Sequence, residues 1–365
     1  MLDTTSSSAL LARVAALVPA WTEAAQADER RVPEAELGAL RVAGGLLAPA
    51  PVRCGGLGIG TEPDGAAAAL RLLRLIGRAN LSLGRIFEGH VNALKLVARY
   101  GGAAQMEHAV ADAAAGHLFA IWATDGSEPV RIEGRQLHGG KTFCSAAAQA
   151  TRPVITAKAE GGSEQMLLIP LAPGERVGAQ RFETHGMQAC GTGVVDFTGI
   201  AVDATVLIGQ PGDYLRQPEF SAGAWRASAV ACGGLDALVA ETREQLVRRG
   251  RHNDPHQQAR LGAMLIAQET ASLWIGKAAR IAEGEEAADG DIAEYVNLAR
   301  IAIETACLDA MRLVQRSLGL AALMRPNPVE RLLRDLATYL RQPAPDIALT
   351  EAAAWFSTRD LPDEP

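Results

Sequence analysis

The chain has 365 residues, 48% of them hydrophobic and 21% charged, which excludes an intrinsically disordered protein. Its formal charge is −7 with no run of Lys or Arg, so a nucleic-acid partner, which needs a phosphate-neutralising face, is not expected. The five cysteines (54, 144, 190, 232 and 307) form no CxxC pair, which argues against structural zinc or a disulfide framework and fits a reducing, cytoplasmic compartment.

The opening MLDTTSSSALLARVAALVPAW has an apolar helical stripe but no basic lead and no small-residue cleavage pattern. It reads as an amphipathic first helix rather than a signal peptide. Leu10, Leu11, Val14, Leu17 and Val18 carry the helical period. A short helix is expected over Val32–Leu47, with Pro33 at its start and Gly44–Gly45 at its end. After a glycine-rich loop, PVRCGGLGIGTEPDG, helices are expected over Ala66–Ile76 and Leu83–Tyr100.

Near Gly116 the texture changes to short apolar runs broken by Gly, Pro and charged turns: HLFAIWAT, RIEGRQLHGGKTFCSAA, RPVITAKA, QMLLIPLA and VVDFTGIAVDATVLIG. That is strand-and-turn composition, to about residue 210. Helical spacing then returns in GAWRASAVACGGLDALVAETREQLVRRG, Gln257–Ile281, Ile292–Leu318 and Pro328–Leu340. The small residues of SAVACGGLDALVA permit close helix packing, as in a four-helix bundle that also meets a second copy. The expected organisation is therefore helical over 1–115, a β-domain over 116–212 and helical over 213–365, a mostly α member of the α+β class. No apolar stretch is long enough for a membrane span.

Other motifs are absent or mis-spaced. There is no GxGxxG after a strand, no GxxxxGK[ST], no GxSxG and no HExxH. His252 and His256 stand four apart, but Asp254–Pro255 lies between them, so no metal site is expected.

The order helix, sheet, helix is unusual, because α/β enzymes interleave their elements. ADERRVPEAELGALRVAGGLLAPAPVRCGGLG resembles the opening of acyl-CoA dehydrogenases. LFAIWATDGSEP, LHGGKTFCSAAAQATRPVITAK and HGMQACGTGVVDFTGIAVDATVLIG are similar to that family's three β-domain motifs, and NPVERLLRDLATYL to its late Arg-Asp helix. The motifs are co-linear over nearly the whole chain. The resemblance implies a helical domain, a β-barrel-like domain and a four-helix bundle, and FAD as cofactor.

Carried over residue by residue, the resemblance sets Trp122, Ala123 and Thr124 of the first motif and Phe143, Cys144 and Ser145 of the second beside the flavin. Thr124 and Ser145 are the hydroxyl donors and Phe143 the aromatic wall. The alternative is that Trp122 and Phe143 are core aromatics and the hydroxyls cap strand ends. Ser127 matches a position near the substrate thioester, or closes a turn. Arg248 and Arg249 match the region where a neighbouring subunit approaches FAD, or form a solvated basic helix end. His90, near a His-x-x-Asn pattern of flavin monooxygenases on this fold, is a candidate catalytic residue or a satisfied core histidine.

One part of the pattern is missing. Removal of an α-proton needs a carboxylate base. The family's two positions for it fall near Pro343 and Trp225 here. Asp346 is the nearest substitute, and Arg341 is a candidate for an anionic substrate group or a surface pair. The first reading is an acyl-CoA dehydrogenase-like enzyme passing electrons to a carrier flavoprotein. The second is a flavin monooxygenase supplied by a flavin reductase, and the third a non-catalytic subunit. A homodimer or homotetramer is expected in each case.

Overall fold

The structure is a computed structural model that describes residues 6–180, 182–284 and 287–363. The first helical block holds α1 (Ser7–Ala27), α2 (Glu34–Val42), α3 (Ala66–Ala79), α4 (Leu81–Tyr100) and α5 (Ala103–Ala115). Asn80 separates α3 from α4: its side-chain carbonyl accepts from Ser82 N (2.9 Å) and Leu83 N (3.1 Å). That cap starts α4 two residues before the apolar period suggests. α2 stops at Val42, short of the expected Leu47, because Gly44 takes a left-handed turn.

Among the described residues eight strands follow: β1 (Leu118–Trp122), β2 (Arg131–Glu133), β3 (Gln136–His138), β4 (Gly140–Cys144), β5 (Ala150–Lys158), β6 (Glu164–Leu168), β7 (Gly193–Asp196) and β8 (Leu207–Ile208). β5 is central, parallel to β1 and antiparallel to β6, which pairs with β8. β4 and β7 form a separate antiparallel ladder, joined to the first sheet's turns by a bridge between Asp125 and Lys141.

The second helical block holds α6 (Glu219–Ala222), α7 (Ala224–Arg248), α8 (Pro255–Glu283), α9 (Asp289–Leu318), α10 (Pro328–Tyr339) and α11 (Pro345–Phe356). The layout is the expected one: helices, a small β-region, and a helical bundle. α11 departs from the sequence reading, whose last helix was Pro328–Leu340. Pro345 instead opens a helix, at a position where its missing N–H has no partner to lose. The glycines of α7 do permit close packing. A Cβ on Gly233 would lie 2.2 Å from the Arg74 carbonyl oxygen, and one on Gly77 2.3 Å from that of Val230. α3 and α7 therefore touch backbone to backbone. One apolar core runs from Leu10 in α1 through Trp122 and Phe197 to Leu340, so all three parts share it.

Candidate functional site

The end of β1 and the whole of β4 lie side by side. Thr142 N donates to Thr124 O (3.0 Å), and Trp122 Nε1 donates to Ser145 O (3.0 Å). The Lys141 ammonium donates to Ala123 O (3.0 Å), Asp125 Oδ1 (2.6 Å) and Thr156 Oγ1 (3.0 Å). Two distant sequence motifs thus form one face. Trp122 and Cys144 point inward from it and are buried, and burial pushes the Cys144 thiol up to about 12. Thr124 and Phe143 point outward and Ser145 is half-buried. No described residue engages the Thr124 or Ser145 hydroxyl.

Phe143 is the unusual member. It is 58% exposed, and its φ is +53°, in the left-handed region that disfavours side chains. The β4–β7 register slips between Lys141 and Cys144, which makes room for this conformation. Its ring meets Phe182, with centroids 4.9 Å apart. A strained backbone that presents an aromatic ring to solvent is a feature that accumulates at ligand sites.

Behind this face the short turn Gln188–Cys190 joins the β-region to both helical blocks. Ala146 N donates to Cys190 O (2.7 Å) on one side. On the other, Met187 N donates to Asp335 Oδ1 (2.7 Å) of α10, and Gly186 N to Thr338 Oγ1 (2.9 Å). Asp335 is also paired with Arg331, while Arg334 binds Glu29, Glu330 and the His185 carbonyl. The Arg-Asp pair of the late helix is therefore a clasp on the β6–β7 connection.

Sequence reasoning missed a buried charge network beside the clasp. Arg226 of α7 pairs with Glu283 of α8, each almost fully enclosed. Glu283 also accepts from Lys95 (2.8 Å) and Trp225 Nε1 (2.9 Å). Arg226 reaches Asn92 Oδ1 (2.8 Å) and the Gly60 carbonyl. Asn92 Nδ2 donates to Glu88 Oε2 (2.6 Å), and Glu88 pairs with Arg85 one turn back. The clue was the charged and amide residues set at helical spacing in the apolar α4 sequence, Arg85, Glu88, Asn92 and Lys95.

The remaining predicted site residues fall elsewhere. His90 is fully buried: its Nε2 bonds Leu46 O (2.8 Å) and its Nδ1 accepts from Phe119 N (3.1 Å). Burial lowers its pKa to about 4. With both nitrogens engaged, the catalytic expectation gives way to a neutral strut between the loop after α2 and β1. Asp346 is exposed in the first turn of α11, so the expected substitute base faces solvent. Arg341 is 58% exposed and pairs with Glu304, the surface-pair reading. Ser127 is exposed in the turn after β1. Arg248 pairs with Glu241 and Glu244, and Arg249 donates to Gln245 Oε1 (3.0 Å). They close the far end of α7, about 35 Å along the helix from Trp225 at 1.5 Å per residue. Among the described residues there is no cluster of three potential metal ligands, and no helix long and apolar enough to cross a membrane.

No family model matches the chain, and no curated protein matches it. Solved structures do. TdsC from Paenibacillus sp. A11-2, a dibenzothiophene monooxygenase, in complex with FMN and indole, superposes with a TM-score of 0.84 at 19% identity, covering 98% of each chain. KijD3 in complex with FMN and a dTDP-linked amino-keto sugar gives 0.84 at 20% identity, over 98% of this chain and 95% of that one. Glutaryl-coenzyme A dehydrogenase in its glutaryl-CoA complex gives 0.83 at 22% identity, over 98% and 97%.

Proposed function

We propose that this chain, which has the acyl-CoA dehydrogenase fold, is a flavin-dependent oxidoreductase that works as an oxygenase. The observation that carries the flavin reading is the β1–β4 face, where an exposed, backbone-strained Phe143 stands beside two unengaged hydroxyls. That donor set fits an isoalloxazine, which needs an aromatic wall and hydrogen bonds to its polar edge. Phe143 would supply the wall, and Thr124 and Ser145 the bonds. Ala123 and Lys141 fix the strands beneath, since Lys141 ties Ala123 O to Asp125. The cofactor is read as the flavin mononucleotide part common to FAD and FMN. FAD would need a clamp for its second phosphate, and Arg248 and Arg249 would have to come from a neighbouring copy.

Bound flavin supplies the two-electron chemistry, and a flavin reductase would deliver the reduced form. The oxygenase reading is preferred because neither of the family's two base positions carries a carboxylate here. Those positions fall near Pro343 and Trp225. The nearby acids are already committed: Glu88 to Arg85, Glu283 to Arg226, and Glu304 to Arg341. A substrate small molecule would lie over the flavin between α4, α7 and the β-face.

A second copy is proposed as partner. Leu265, Ile266 and Leu273 of α8 are 42%, 70% and 67% exposed, an apolar face that a homo-oligomer would cover.

The test is a titration of the purified chain with oxidised FAD and FMN, and with reduced flavin under nitrogen and under air. Saturable binding and oxygen uptake above the free-flavin rate support the proposal. Bleaching of bound flavin by acyl-CoA under nitrogen would move the assignment to a dehydrogenase. Absence of any flavin affinity would overturn both.

A further inference from the structure

The clasp and the buried charge network meet at one recess beside the β1–β4 face. Met187 fixes its walls: its sulfur lies 4.0 Å from Ser82 Oγ of α4, and its N–H donates to Asp335 of α10 (2.7 Å). One turn on from Ser82 stands Arg85, and one turn on from Asp335 stands Tyr339. Cys190 Sγ lies 3.9 Å from Ser82 O, and the Cys190 carbonyl accepts from Ala146 N, the residue after Ser145. Arg85 and Tyr339 are close enough to shift one another's proton affinity. Arg85 is ringed by Glu88, Tyr339, Cys190 and Tyr214, from four parts of the chain, yet its side chain is 32% exposed. It therefore faces a concavity. Gly89, one turn along α4, shows the space: it is buried, but a Cβ on it would meet only Arg85 Nη1, at 3.7 Å.

The polar groups around that space have donors in excess. Arg85 pairs with Glu88 through Nη1, and its other N–H groups meet no described residue. Each Glu88 oxygen already accepts a bond, one from Arg85 and one from Asn92. Tyr339 is 5% exposed, and its hydroxyl has no partner. Burial, then Glu88, pushes the phenol well above its ordinary value, so it stays a donor. The network running from Arg85 through Glu88, Asn92, Arg226 and Glu283 to Lys95 holds three cations and two carboxylates, and Arg85 is the most exposed of the cations. A buried hydroxyl without a bond and a surplus of positive charge are completed by one kind of group, an acceptor with negative charge.

We propose that the substrate of the flavin site carries a small oxyanion, a carboxylate or sulfonate-like group, held by Arg85 and Tyr339 in the space beside Gly89. Its role as substrate rests on the flavin reading; the binding itself does not. Arg341, the candidate for this task in the sequence, is spent on Glu304.

The test is calorimetric titration of the full chain, with and without flavin, at constant ionic strength. Acetate, benzoate and methanesulfonate are compared with neutral acetamide, benzamide and dimethyl sulfone. At least one anion should bind saturably, about tenfold or more tighter than its neutral counterpart. In the flavin-loaded chain the same anion should shift the flavin absorption band. Tyr339→Phe and Arg85→Lys should each weaken anion binding about tenfold, with flavin titration unchanged. A chain that takes up no flavin but still discriminates the anions would sink the flavin reading and leave the anion site standing. Equal affinity for anion and neutral compound, a flavin band that anion binding does not move, or undiminished binding in both variants overturns the proposal.

Discussion

The Lys141 ammonium lies 2.6 Å from the Asp125 carboxylate, with the lysine side chain 1% exposed and the aspartate 28%. A lysine so enclosed is retained only where its protons are all used, and here the other two go to Ala123 O and Thr156 Oγ1. The pair pins the turn after β1 to β4, and with it the relative placement of Thr124 and Phe143. Lys141→Met should destabilise the fold by about 2 kcal/mol, less than a fully buried pair because Asp125 can hydrate. Flavin affinity should fall with it. Urea unfolding and flavin titration on the same sample check both.

Phe143 gives a prediction of opposite signs. Phe143→Gly relieves the left-handed backbone, so stability should rise by up to about 1 kcal/mol. Flavin affinity should drop about tenfold, because the wall is gone. A parallel fall of stability and affinity would mean that the ring packs as core. Phe143→Ala, which keeps the strain, separates the two effects.

His90 sets a pH dependence. Its folded pKa is about 4, below the ordinary value of 6.5, because burial disfavours the imidazolium. The unfolded chain therefore binds the proton more readily. The stabilisation is fully present above pH 6.5 and is lost as pH falls from there towards 4. Two and a half units correspond to about 3 kcal/mol. His90→Gln should flatten this part of the stability–pH curve by about that amount relative to the parent. Turnover of His90→Gln at neutral pH should persist in proportion to folded protein.

Glu283 is the shared acceptor of Arg226, Lys95 and Trp225. Glu283→Gln leaves two buried or half-buried cations short of their counter-charge and should cost about 3 to 5 kcal/mol. A loss under 1 kcal/mol in chemical denaturation would show that the network is better hydrated than its burial implies.

The fold was legible because its signals are local. The apolar stripe from Leu10 to Val18 and the Gly/Pro punctuation after Gly116 act over a few residues. The β1–β4 face was legible only through the resemblance, and there only in part. Thr124 and Phe143 are exposed and Ser145 is half-buried, whereas Trp122 and Cys144 are core. Alternation along a strand decides which side each residue takes, and the slip in β4 is invisible to that rule. The charge network was missed because its members lie far apart in sequence: Arg226 and Glu283 are separated by 57 positions. α11 was missed because Pro345 reads equally well as a loop former and as a helix opener.

The clasp between Met187 and Asp335 spans 148 positions, and that between Glu29 and Arg334 spans 305. A ribosome that has released residue 210 has already made every described strand, yet Gly186 and Met187, in the loop leading into β7, still lack their α10 partners. That loop therefore waits on α10, and a chain cut before residue 330 has a β-region complete in sequence but without its α10 clasp.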